Sequence, residues 1–236
     1  MRSSDVVVIL FLLAGAGASI RWKKLTPAAA LTGALLGAAI YAGGGYPGLL
    51  FLALFFILGT AATSWKKIEK LSVTGNAGHE STRRPGQVIA NAGVAAIAGI
   101  LALLLPGNKP LFLLLMAASL SSATADTLAS ELGMVYGRRF YHLLTLKPDT
   151  RGLDGVISIE GLLFGIAGSA LIATAYALTT TRDLRPIAII ILAGTAGNLV
   201  DSLLGALFER KGLLSNDLVN FLNTLSAALL AALLAL

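Results

Sequence analysis

Asn198 and Asp201 stand inside the apolar run Pro186 to Phe208, within the segment AGTAGNLVDSLLGALFER. Roughly 20 apolar residues suffice to cross a bilayer, so the run reads as a membrane span. A carboxylate at mid-helix in lipid costs about 2.5–3.5 kcal/mol on insertion scales, so it is expected to face protein or water. At about 100° per residue, Gly194, Asn198, Asp201 and Gly205 share one face. That face joins two polar groups to glycines that let a neighbouring helix or a ligand come close. Two readings follow: functional groups, or polar glue hydrogen-bonded to adjacent helices.

These are not the chain's only polar residues in apolar surroundings. Asn91 lies in QVIANAG, and Asp126 and Glu131 in SSATADTLASELG. Asp154, Ser158 and Glu160 lie in GLDGVISIEG, and Asn216, Asp217, Asn220 and Asn223 in NDLVNFLNT. Ser122 and Asp126 share a helix face, as do Asn216, Asn220 and Asn223. Asp126 and Glu131 are about 140° apart on an ideal helix, so one cavity takes both only if it wraps the helix or the helix distorts. The alternative for Glu131 is an interfacial acid paired with Arg138 or Arg139.

The elements that must position these groups are membrane spans. The 236 residues are 56% hydrophobic and 13% charged, against about 25% charged in soluble domains, and the mean hydropathy is +0.81. The fold class is therefore an all-α polytopic transmembrane bundle, a single integral-membrane domain over residues 1–236. Eight spans are expected: Asp5–Ile20, Pro27–Tyr41, Leu49–Trp65, Gln87–Leu105, Leu111–Leu132, Gly155–Leu178, Pro186–Phe208 and Leu214–Leu236. The first three occupy residues 1–65, and residues 83–236 form the core that carries the polar groups. The opening stretch lacks a strongly basic start and a cleavage site, so it reads as a span rather than a leader. Gly33 and Gly37 have the spacing of a helix-packing motif.

Fourteen of the 18 Lys and Arg residues fall in the loops after spans one, three, five and seven; only Arg2, Lys109, Arg182 and Arg185 fall on the other side. The positive-inside rule then puts those loops in the cytoplasm and both termini outside. The net charge of +6 is a topology signal, and nucleic acid is not expected as a partner. In this orientation five spans carry their polar residues at their cytoplasmic ends. A transporter or channel would be expected to hold them near the midplane, often at broken helices; that remains the rival class.

The absence of cysteine excludes disulfides, thiol nucleophiles and Cys-ligated metals. With His79 and His142 the only histidines, acids and amides are left to form the site. They suit a hard cation such as Mg²⁺, held by one or two carboxylates together with substrate phosphates. The run Arg83-Arg84-Pro85-Gly86-Gln87, the Gly75, Asn76 and Gly78 loop, and the loop around Arg151 offer cations and backbone amides for phosphate. A site open to the cytoplasm with walls in lipid suits an amphiphile with an anionic head.

QVIANAG, ADTLASELG, GLDGVISIEG, GTAGNLVDSLLGALFE and NDLVNFLNT, in this order from about Arg83 to Asn223, resemble an integral-membrane family that includes the phytyl-phosphate kinase of tocopherol synthesis. That family is distantly similar to the CTP-using phytol and dolichol kinases and to phosphatidate cytidylyltransferase. The resemblance implies phosphoryl transfer from a nucleoside triphosphate, CTP first, to a prenyl monophosphate such as phytyl or geranylgeranyl phosphate. It weights Asn91, Asp126, Glu131, Asn198, Asp201, Asn220 and Asn223. The expected roles are Mg²⁺ on Asp126, Asp201 and Glu131, and phosphate oxygens or metal waters on Asn198, Asn220 and Asn223. Arg83, Arg84 and Arg151 neutralise the polyphosphate. Nucleotidyl transfer would use the same metal site.

Overall fold

The computed structural model describes residues 3–74 and 82–236. The expected contributions of Arg2, Gly75, Asn76, Gly78 and His79 lie outside the described residues. Eight helices follow in order: α1 (Ser3–Arg21), α2 (Pro27–Ser64), α3 (Lys67–Thr74), α4 (Pro85–Leu104), α5 (Lys109–Tyr136), α6 (Ile159–Thr179), α7 (Leu184–Leu207) and α8 (Asn216–Ala235). Six of these, α2 and α4 to α8, are long and apolar enough to cross a membrane. The protein is an integral-membrane helix bundle.

Against the eight expected spans, six elements among the described residues meet the length and hydropathy of a membrane crossing, and the difference lies at the N-terminal side. Expected spans two and three form one element, α2, whose backbone leaves the helix at Gly45 (φ 62°, ψ −152°). That conformation is open essentially to glycine alone. The chain folds back there rather than running straight. A Cβ on Gly48 would lie 2.9 Å from Ile40 Cγ2, and Ala29 and Ala30 pack with Phe56. In a straight helix Ile40 and Gly48 would be about 12 Å apart along the axis. So Gly45 is a hinge between two antiparallel arms, and Pro47, which has no N–H to leave unpaired, stands in the first turn of the second.

Side chains set the helix starts. Thr26, Ser158 and Ser215 accept the amides of Ala29, Gly161 and Leu218 at 3.2, 3.0 and 3.4 Å, each satisfying an amide that the first turn leaves without a partner. The Ser158 cap starts α6 four residues later than expected. Asp154 is therefore in a loop, and Ser158 is the cap rather than a first-turn residue. The loop's short ladder, Tyr141–His142 (β1) against Val156–Ile157 (β2), departs from the purely α expectation.

Helix α5 is the axis of the bundle, packing against α2, α4, α6, α7 and α8. Residues 116–125, MAASLSSATA, are all buried. Alanine and serine there let backbones approach from every side. The hydroxyls turn to backbone oxygens: Thr124 donates to Leu120 O at 2.7 Å and Ser121 to Ile190 O at 3.3 Å. The large apolar side chains, among them Phe51, Met116, Leu120, Ile172 and Ile190, form the core around this axis.

Candidate functional site

The ends of α5 and α7 meet the starts of α4, α6 and α8 around a cavity of about 580 Å³. Among the described residues five carboxylates line it: Asp126 and Glu131 from α5, Asp154 from the loop, Asp201 from α7 and Glu209 just beyond α7. Arg84, Gln87, Asn198, Ser202 and Asn216 complete the polar wall. The convergence of five expected spans at one end is thus present in the fold.

At its centre Asp126 and Asp201 adjoin, their carboxyls within hydrogen-bonding range of each other. Asn223 Nδ2 donates to Asp201 Oδ2 at 3.2 Å, and Asn223 Oδ1 accepts the hydroxyl of Ser122. Asn223 therefore holds Asp201 from behind, fully buried, instead of facing the cavity. Asn220 is also a supporting residue: its Nδ2 donates to Asn216 O and Oδ1 at 2.9 and 3.1 Å.

Close helix approach creates this geometry. A Cβ at Gly165 would meet Asn198 Nδ2 at 2.8 Å, and one at Gly205 would meet the Gly155 amide nitrogen at 3.0 Å. The glycines on the Asn198–Asp201 face admit packed neighbours: Gly194 faces Ser121 and Ser169, and Gly205 brings the Asp154 loop against α7. Gly155 itself has φ +73° and sits against Ala206.

Other expected site residues stand elsewhere. Glu131 binds Lys70 Nζ at 2.5 Å, and that ammonium also donates to Ala62 O and Thr63 O at 2.8 and 3.0 Å. Its partner is thus neither Arg138 nor Arg139. Lys70 is fully buried and caps the last carbonyls of α2, a favourable place for a cation. Among the described residues, no three acid or histidine side chains are grouped to hold a metal, so the expected trio is reduced to the adjoining Asp126–Asp201 pair.

Of the three expected arginines, only Arg84 lines the acid cavity. Arg83 lies over the Phe55 ring at 5.5 Å and lines a second, apolar cavity with Asn91. Burial lowers the Arg83 pKa, and Glu131 opposes the shift. Arg151 stacks over Phe140 at 5.9 Å, one layer behind the cavity wall. Asn91 Nδ2 donates to Gln87 O at 2.8 Å. In the loop, Arg210 binds Asp149 at 2.7 Å and holds its carboxyl below the usual range, while partial burial raises Asp154.

Glu209 and Ser202 are polar cavity residues that sequence reasoning missed, whereas Gln87 belongs to the run expected to face phosphate. Glu209 carried a signal, since Asp201, Gly205 and Glu209 run along one i, i+4, i+8 ridge. Gln87 also closes the start of α4, accepting the Arg84 amide at 2.9 Å in a capping-box arrangement. Lys70 gave no signal, because nothing in a basic loop marks which lysine will be buried.

The donor set fits a hard divalent cation: the acids and amides of the wall offer oxygen ligands, and among the described residues the lining carboxylates outnumber the one lining arginine, Arg84. The opposite ligand is served as well. Helices α4, α6 and α8 all begin at the cavity, and helix N-termini favour anions.

Comparison with known proteins agrees with this architecture. The family described as integral membrane protein DUF92 matches residues 9–228. Protein VTE6, chloroplastic, from Arabidopsis thaliana is 31% identical over 206 residues, 85% of this chain and 62% of the relative. The chain thus spans less than two thirds of that protein's length. An uncharacterized membrane protein of Methanocaldococcus jannaschii is 33% identical, covering 80% of this chain and 77% of its own. One from Synechocystis is 34% identical, covering 97% and 89%. No solved structure matches. With nearly its whole length matched, the chain belongs to the DUF92 family of integral membrane proteins.

Proposed function

We propose that this protein is a lipid kinase, transferring the terminal phosphoryl group of a nucleoside triphosphate, CTP first, to a prenyl monophosphate. The observation that carries this reading is the meeting of acids and helix starts around one cavity at the end of an apolar bundle. The similarity to Protein VTE6 and the motif resemblance support it. The positive-inside count supports a cell-membrane protein whose two termini lie outside and whose acid cavity faces the cytoplasm.

Asp126 and Asp201 would hold Mg²⁺, with Asn223 fixing the Asp201 carboxylate. When bound, the ion supplies charge neutralisation at the phosphate oxygens. Glu131 is left out of this set, since Lys70 already neutralises it. Arg84 and the starts of α4, α6 and α8 orient the polyphosphate. Asn198, nearly buried between α7 and α6, is a further amide for a phosphate oxygen. The acceptor's second pKa is near 6, so it is largely dianionic at neutral pH. It needs no strong general base. One acceptor oxygen forms the new bond to the γ-phosphorus; the β–γ bridging bond breaks, and its electron pair leaves on the nucleoside diphosphate.

Purified protein incubated with phytyl or geranylgeranyl monophosphate, Mg²⁺ and each nucleoside triphosphate tests the reading. The expected product is the prenyl diphosphate, and chelation of the metal stops its formation. A nucleotide-linked lipid would instead establish nucleotidyl transfer. Nucleotide-independent solute flux in proteoliposomes, with no lipid product, would establish a transporter.

A further inference from the structure

The second cavity, about 540 Å³, lies between α1, the two arms of α2 and the start of α4. Its size is within the ~300–1,000 Å³ of small-ligand pockets. Leu12, Leu49, Leu52, Phe56 and Val88 give it an apolar wall. In a membrane bundle an apolar wall by itself indicates no more than bulk lipid, but the end of this groove is not apolar.

Lys24, Arg83 and Gln87 line it there. The backbone fixes the first two: Arg83 N–H donates to Lys24 O at 2.9 Å, and Thr26 N–H to Arg83 O at 3.1 Å. Lys24 Nζ donates to Ser64 Oγ at 2.8 Å. Among the described residues no carboxylate lies within ion-pair distance of the Arg83 guanidinium, which rests on Phe55. A largely buried cation without an acid partner is costly unless an anion joins it. Gln87 lines both cavities, and Arg84, the next residue after Arg83, lines the acid one. The polar end of the groove therefore opens beside the Asp126–Asp201 site.

We propose that this groove binds the single hydrocarbon chain of a lipid monophosphate, with its phosphate between Arg83 and Lys24. Gln87 marks the passage to the acid cavity. The identity of the head group rests on the kinase reading; the groove's amphiphile chemistry rests on its own residues. The glycines of α1 supply a matched test. Added Cβ atoms at Gly15 and Gly17 meet nothing within 4 Å, yet only Gly15 lines the groove.

The probe is a C16 alkyl monophosphate with a photoactivatable diazirine near its chain end, added to full-length protein in nanodiscs; labelled residues are mapped by mass spectrometry. Labels are expected on the facing sides of α1, α2 and α4. Gly15→Leu in α1 and Gly33→Leu in α2, both lining the groove, should each reduce labelling at least tenfold. Gly17→Leu should leave it unchanged, and Arg83→Gln should raise the half-labelling concentration at least fivefold. Labels spread over the outer faces of all helices and insensitive to Gly15→Leu would overturn the groove. Equal labelling by the uncharged C16 alcohol, or equal competition by two-chain phosphatidic acid, would overturn its selectivity for a single-chain monophosphate. Diphosphate formation without groove labelling keeps the kinase and rejects the groove. Groove labelling without diphosphate formation from any nucleotide does the reverse.

Discussion

The two cavities are nearly equal in volume, about 580 and 540 Å³, and opposite in chemistry. One is built where α5 and α7 end, carrying Asp126, Glu131 and Asp201; the other lies between α1, α2 and α4, whose described spans bring no acid to its wall. They share Gln87. On the proposed reading, the contrast lets one bundle serve both halves of an amphiphile. Oxygen ligands gather where helix ends bring polar backbone together, and chain-binding space opens where paired helices are spaced by small residues.

The sharpest way to break the contrast is to neutralise the acid centre. Asp201→Asn and Asp126→Asn keep size and shape but remove charge from the adjoining pair. Each should lower phosphoryl transfer at least 10³-fold, about 4 kcal/mol in the barrier, while the protein still inserts and unfolds cooperatively. Near-normal turnover by both variants in detergent would sink the assignment of these two carboxylates as metal ligands.

Next in size is the role of Glu131, a cavity acid assigned here to structure. Glu131→Gln removes the carboxylate that the fully buried Lys70 binds at 2.5 Å and should destabilise the protein by about 3–5 kcal/mol. Replacing both partners by apolar residues, Lys70→Met with Glu131→Leu, should recover much of that loss. Thermal unfolding of the single and double variants measures it. Were Glu131 a metal ligand instead, Glu131→Gln would lose turnover without losing stability.

Much of the acid cavity was legible in the sequence because expensive residues declare themselves in apolar runs. Asp126, Asn198 and Asp201 could be placed at one end by counting from basic loops, and the fold brings them together. What was illegible depended on contacts distant in sequence. Asn223 and Asn220 point at protein partners, Asp201 and Asn216, not at the cavity. Arg83 and Arg84 are adjacent and identical in type yet line different cavities, and Arg83 is tied by its backbone to Lys24 and Thr26, far away in sequence. The fold-back between expected spans two and three was legible, but its form, one helical element broken at Gly45 alone, was not.

A smaller effect tests the packing on the apolar side. Gly99 of α4 lies against the first arm of α2, and a Cβ there would meet Ala39 O at 2.5 Å and Ile40 Cα at 3.0 Å. These are backbone atoms, which cannot swing aside. Gly99→Ala should cost roughly 1–3 kcal/mol and lower the Tm, leaving the catalytic constant for transfer at the α5–α7 end intact. An unchanged Tm would mean that the two helices can separate freely.

The smallest expected effect lies in the loop that carries Asp154 and Phe140 to the acid cavity. Asp149 joins that loop to Arg210, whose hydrogen bonds hold the carboxyl below its ordinary value of 3.8. A depressed folded-state value adds stability above the unfolded value and loses it as pH falls through the folded one. The latch should therefore be complete at neutral pH and weaken only below about pH 4. Asp149→Asn removes it at every pH. Limited proteolysis of the loop, run from pH 7 to pH 3 with an acid-tolerant protease, should show protection in the wild type that fades at the acid end. In the variant the cleavage rate should be higher and nearly flat, after correction for the protease's own profile. Identical profiles would show that the Asp149–Arg210 pair sits on the loop without holding it.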